Sequence, residues 1–207
     1  MNVILGALAA YLLGSIPTSY IFGKVFKKID IRKYGSGNVG ATNVFRVMGK
    51  KYGIAVLIID MLKGFLAVAI LPILFYSEPF PISLDLLKII LGVASICGHI
   101  WTVFLKFKGG KGVATSAGVL IGLSPIVMLC SLVVWSIVAF LSKYVSLASI
   151  IAALSVPIFM WLLKQPKQYL IVTSLLAVLV VYKHRSNIGR LLSGQEAKIG
   201  QKVHIPK

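Results

Sequence analysis

Three polar segments interrupt an otherwise apolar chain, and each gathers residue types suited to holding an anion. The first is Gly35-Ser36-Gly37-Asn38-Val39-Gly40-Ala41-Thr42-Asn43, followed by Arg46. Its glycines fit the dinucleotide fingerprint G-x-G-x-x-G, but that motif works only after a buried strand within a βαβ unit. Here the charged run Arg32-Lys33-Tyr34 precedes it. The physics of such a loop still holds: glycines let backbone N–H groups approach an anion, and a helix starting after them adds a positive dipole end. Ser36, Asn38, Thr42 and Asn43 add hydroxyl and amide partners, and Arg46 adds a planar cationic fork. A plain linker with a helix cap is the bland alternative, and so long a run of tiny and polar residues is an odd linker.

The second segment is Lys106-Phe107-Lys108-Gly109-Gly110-Lys111-Gly112-Val113-Ala114-Thr115. It is not a Walker A loop, because Lys111 is followed by Gly112 rather than Ser or Thr. Gly-Gly-Lys-Gly ahead of a helix nevertheless suggests a nest of N–H groups, with Lys111 as point charge and Thr115 as cap. An ordinary basic loop would explain the lysines but not the glycines around them. The third segment runs from His184 to Glu196. If the last helix continues through it, His184, Asn187 and Leu191 share one face. His184 is the residue there whose ordinary pKa lies near neutrality.

Smaller features surround these. Asp60 and Lys63 stand at i, i+3 in an apolar stretch; an ionisable residue in a span is a functional candidate, and mutual neutralisation is the equal alternative. His99 and Trp101 read as interfacial anchors. Ser146 suits a helix cap, and Ser149, one turn deeper, could reach a buried ligand. Cys97 and Cys130 lie apart in apolar runs and form no redox or metal motif.

The elements that must position these groups are read from composition. The chain carries 22 Lys and Arg against five acids, a net +17, yet is 58% hydrophobic, with mean hydropathy +0.93. A nucleic-acid binder would share the charge but not the apolar runs, so an integral membrane protein is expected. Asn2–Phe22, Tyr52–Tyr76, Leu86–Leu105, Leu147–Leu163 and Tyr169–Tyr182 each suit one span. Val113–Leu141 is too long for one and short for two, and Gly122 to Pro125 can break it.

Cytoplasmic loops collect Lys and Arg. Lys24 to Lys51, Lys106 to Lys111, Lys143 and the tail from Lys183 all fall on one side only if Val113–Leu141 is two helices. The fold expected is therefore all-α: a single membrane-embedded domain over residues 1–207, with seven transmembrane helices. The N-terminus lies outside, the C-terminus is cytoplasmic, and the uncharged-to-acidic loop Ser77–Asp85 faces out. All three polar segments then gather at the cytoplasmic face.

Two anion-binding loops and few acids narrow the chemistry. A phosphatidyl-alcohol transferase needs clustered aspartates for its metals; five scattered acids offer none, so no metal and no cofactor is expected. A soluble-type glycerolipid acyltransferase would show His-x-x-x-x-Asp, which none of His99, His184 and His204 begins. A transporter of a small phosphorylated anion is the remaining alternative, though it would place its polar groups at mid-membrane.

The segments resemble, in order, the three signature motifs of the bacterial acyl-phosphate:glycerol-3-phosphate acyltransferases, the PlsY family. The matching residues are Gly35–Asn43 with Arg46, Gly109–Thr115, and His184, Asn187, Arg190, Gly194 and Glu196; Tyr144–Ser149 resembles a fourth recurrent piece. The resemblance spans essentially the whole chain. It implies acyl transfer from acyl phosphate to the 1-hydroxyl of sn-glycerol 3-phosphate in the inner membrane, with the lipid bilayer as partner and no nucleic acid. It implies catalytic roles for Ser36, Lys111, His184 and Asn187. Substrate contacts are implied for Gly37, Asn38, Thr42, Arg46, Gly109, Gly110, Gly112, Thr115, Ser149 and Glu196. Two bases are open: His184, or the donor's own phosphate.

Overall fold

The computed structural model describes residues 2–76 and 82–201, which form helices and turns with no strand among them. Ser77–Pro81, most of the expected outer loop, and the last six residues lie outside the described residues. The chain divides at Leu123/Ser124 into two compact units.

In the first unit, α1 (Asn2–Ser15) and α2 (Thr18–Lys27) are separated by Pro17, which cannot donate a ladder bond. Carbonyls freed by such a break must find donors when lipid surrounds them. Thr102 Oγ1 donates to the Ser15 carbonyl at 2.6 Å and Lys63 Nζ to that of Ile16 at 3.2 Å. Next come α3 (Ala41–Met48), α4 (Lys50–Ala69), the one-turn α5 (Leu71–Phe75), α6 (Leu84–Ile100) and α7 (Val113–Leu123). Val44, Val47 and Met48 of α3 bury one face against Ile31 and Val56, the i, i+3, i+4 stripe of an amphipathic helix.

Small residues set the closest approaches, as expected where van der Waals packing rather than water expulsion joins helices. A Cβ at Gly64 of α4 would collide with the Thr115 carbonyl, and one at Gly118 of α7 with the Met61 carbonyl. Gly14 of α1 and Gly98 of α6 make the reciprocal pair, against the Ser95 and Tyr11 carbonyls.

The second unit holds α8 (Pro125–Ser142), α9 (Val145–Leu162), α10 (Lys167–Lys183) and α11 (Arg185–Leu192). Consecutive helices α8, α9 and α10 pack in sequence. The helix break expected near Gly122–Pro125 falls at Ser124, with Pro125 opening α8, where its missing N–H costs nothing. The last helix does not run straight on: α10 and α11 meet at His184 with a bend of 55°.

Polarity is inverted relative to a water-soluble protein. Asp60, Lys63, His99, Thr115 and Asn187 are buried, while Ile73, Phe140, Leu141 and Trp161 are each more than two-thirds exposed. Five helical stretches are long and apolar enough to cross a membrane: Val3–Lys27, Lys50–Phe75, Leu84–Leu105, Pro125–Ser142 and Val145–Leu162. The bent pair α10–α11 makes a sixth if its two helices form one span. Apolar α7, with 11 residues, rises roughly 17 Å, short of the ~30 Å hydrocarbon core.

Candidate active site

The first polar segment is folded from within. Gly35 and Gly37 have φ of +61° and +69°, the left-handed region that glycine enters without strain. Asn43, 1% exposed, is its latch. Its Oδ1 accepts the Ser36 N–H at 2.9 Å, and its Nδ2 donates to the Tyr34 and Ile31 carbonyls at 3.0 and 3.3 Å. The Gly37 N–H goes to the Tyr34 carbonyl, and that of Asn38 reaches Ser36 Oγ at 3.5 Å. Upstream, Asp30 caps a turn and chelates Arg32 at 2.6 Å; that guanidinium holds the Asp30 carboxyl down at about 2. The Ser36 hydroxyl is exposed, Asn38, Thr42 and Arg46 are half-buried, and Arg46 lies in the last turn of α3.

The second segment follows the same rule. Gly109 N–H donates to the Ile100 carbonyl and Gly110 N–H to that of His99, at 3.1 and 3.0 Å. The N–H groups of Gly37, Gly109 and Gly110 thus go to protein carbonyls, and these glycines shape the backbone. Gly112, with φ +85°, is buried against Ile96 and Ile100. Lys111 is half-buried at the head of α7, whose first N–H groups have no carbonyl one turn back. Thr115 is fully buried, where α7 crosses Gly64.

Beneath this segment a pocket is lined by Ser15 to Thr18, Val39, Asp60, Lys63, His99, Thr102, Gly109 and Gly110. Lys63 Nζ lies 2.9 Å from Asp60 Oδ1, which also accepts from Thr18 Oγ1 at 3.0 Å. His99 is 8% exposed, a buried residue rather than the expected interfacial anchor. Trp101, 38% exposed, keeps a surface position.

In the second unit Glu196 is the hub, its side chain 1% exposed. Oε1 accepts from Ser146 Oγ at 2.9 Å and Asn187 Nδ2 at 2.8 Å; Oε2 accepts from Arg190 Nε at 2.7 Å. Gly194, with φ +70°, turns the chain back to deliver it. Burial pushes its carboxyl pKa up, but the bonds from Asn187, Arg190 and Ser146 outweigh burial and hold it below the ordinary value. His184 is buried, and its Nδ1 lies 2.8 Å from the Val180 carbonyl. A carbonyl only accepts, so Nδ1 carries a proton in this contact. Ser149 Oγ donates to the Val145 carbonyl at 2.8 Å and accepts from the Trp135 indole at 3.3 Å.

Sequence reasoning overlooked Thr18, Trp135 and the Val180 carbonyl, and read Asn43 as a ligand amide. The proline break before Thr18 was the available signal for the first; a backbone carbonyl leaves no trace in residue type.

The family model for glycerol-3-phosphate acyltransferases matches residues 4–194. The glycerol-3-phosphate acyltransferase of Desulforamulus reducens is 48% identical over 195 residues, 94% of either chain. Among solved structures, PlsY (YgiH), an integral membrane glycerol 3-phosphate acyltransferase, matches in its glycerol 3-phosphate form with a TM-score of 0.86. It is 42% identical, over 97% of this chain and 96% of that one. Its lysophosphatidic acid form matches with a TM-score of 0.85 at 41% identity, over 97% of both. Matched by the family model over residues 4–194 and by these relatives over nearly its whole length, this chain belongs to the glycerol-3-phosphate acyltransferase family.

Proposed function

We propose that this chain transfers a fatty acyl group from acyl phosphate to the 1-hydroxyl of sn-glycerol 3-phosphate, giving lysophosphatidic acid and phosphate in the first acylation of phospholipid synthesis. The observation that carries this reading is the likeness, over 97% of the chain, to an acyltransferase known in glycerol 3-phosphate and lysophosphatidic acid forms.

The hydroxyl oxygen bonds to the acyl carbon, the bond from that carbon to the phosphate oxygen breaks, and the hydroxyl proton leaves with phosphate. The donor is already activated, so no covalent enzyme intermediate is needed. Lys111 and the start of α7 hold one phosphate; Ser36 and Arg46 engage the other anion or the carbonyl oxygen. Ser149, His184 and Asn187 position glycerol phosphate, with Glu196 holding Asn187 in place. The departing phosphate takes the proton, and the protein supplies proximity and electrostatic stabilisation. His184 is oriented by the contact of its Nδ1 with the Val180 carbonyl. On this route His184→Gln raises KM while keeping most of kcat; loss of kcat at unchanged KM would instead make His184 the base.

Seven spans are proposed, with α7 crossing as a short helix in a locally thinned bilayer. The N-terminus lies outside, the tail is cytoplasmic, and the site sits at the cytoplasmic face of the inner membrane; the grouping of Lys and Arg supports this. The test is phosphate release by protein purified in detergent and given palmitoyl phosphate and glycerol 3-phosphate. Release is expected from wild type and not from folded Lys111→Ala. Silence, with glycerol 3-phosphate exchanging across vesicles instead, would select the transporter.

A further inference from the structure

We infer that Asp60, Lys63 and His99 form a positioning unit: an ion pair within α4 that holds the His99 imidazole against Gly110, where the two glycine-rich loops meet. The inference rests on the acyltransferase reading above, and none of the three is among the residues assigned there to substrate.

An ion pair inside a span is costly, and one serving only to neutralise itself could be replaced by apolar side chains without loss. This pair reaches further. Lys63 donates to the Ile16 carbonyl and Asp60 accepts from Thr18, so the pair pins the Pro17 break between α1 and α2. Asp60 Oδ1 also stands 3.8 Å from His99 Nδ1, in ion-pair range though beyond a hydrogen bond.

The opposite edge of the imidazole meets the second loop. A Cβ at Gly110 would overlap His99 Nε2 and lie 2.8 Å from the Val39 carbonyl. Gly110 is thus held between the His99 ring and the first loop, while its N–H is bonded to the His99 carbonyl. Lys111 is the next residue in the chain. A shift of the imidazole therefore reaches the Lys111 backbone within one peptide, and displacements near 1 Å are enough to cost roughly 100-fold in a positioned reaction.

The test compares wild type with His99→Leu, His99→Asn and the double variant Asp60→Asn/Lys63→Met, which removes both charges together. Tm, kcat and KM are measured with palmitoyl phosphate and glycerol 3-phosphate, together with the Tm rise produced by inorganic phosphate alone. The double variant is expected to lose some Tm, because the Ile16 carbonyl loses its Lys63 donor, while kcat/KM of the folded protein falls about 10- to 100-fold. His99→Leu should match that loss of kcat/KM, and His99→Asn, which keeps a polar group, should fall between. Folded variants with wild-type KM and kcat, or activity that follows the folded fraction in every variant, would overturn the inference. If wild type itself releases no phosphate, the reaction is wrong and the phosphate arm decides. Stabilisation of wild type but not of His99→Leu supports positioning; equal stabilisation, or none in either, refutes it.

Discussion

Asn43 and Glu196 show how little of a polar residue's task is written in its type. Both carry groups that could meet a substrate, and both turn them inward, where a buried polar atom must be paired. Asn43→Ala removes three hydrogen bonds at once. A stability loss of about 2 kcal/mol is expected, with kcat/KM for phosphate release falling roughly 100-fold as Ser36 loses its register. Thermal unfolding in detergent and steady-state kinetics check the two together. Glu196 adds a pH dependence. Its folded pKa lies below the ordinary 4.5, so its stabilisation is present in full above that value. It is lost as pH falls through the lowered folded value. Wild-type Tm should therefore drop below about pH 4.5 more steeply than that of Glu196→Gln, which starts lower by about 2 kcal/mol of stability. Parallel curves for the two proteins would refute this.

At the scale of elements, glycine separates two tasks. Gly35, Gly37 and Gly112 take left-handed backbone, whereas Gly64 and Gly118 give helix α4 its contact with α7. Gly118→Leu should prevent that contact by overpacking, at a cost of about 3 kcal/mol or more. The yield of monodisperse protein in detergent should fall, while Gly189→Ala, where nothing lies within 4 Å of the added Cβ, should leave it unchanged. The helix break at Ser124 was legible, because proline lacks a donor and disfavours helix before it. The 55° bend at His184 was not, since no proline or glycine marks it. Likewise the Gly-Gly-Lys-Gly run announced an anion site but not that two of its N–H groups would close onto the end of α6.

For the molecule as a whole, orientation is testable apart from chemistry. In a Cys97→Ala/Cys130→Ala background, a membrane-impermeant maleimide should label Lys167→Cys in intact cells. Lys108→Cys should react only after permeabilisation; the reverse pattern would invert the topology. The sequence by itself determined the helical membrane class, the turn before α8 and the three polar segments, because hydropathy, proline stereochemistry and residue type are local properties. Only the tertiary structure decided which polar groups remain for a substrate. Asn43 is seven residues from the Ser36 it latches and Ser146 is 50 from Glu196. Whether a hydroxyl, amide or carboxylate is spent on the fold or left for chemistry depends on which distant groups packing brings within 3 Å of it, and a linear pattern does not contain that distance.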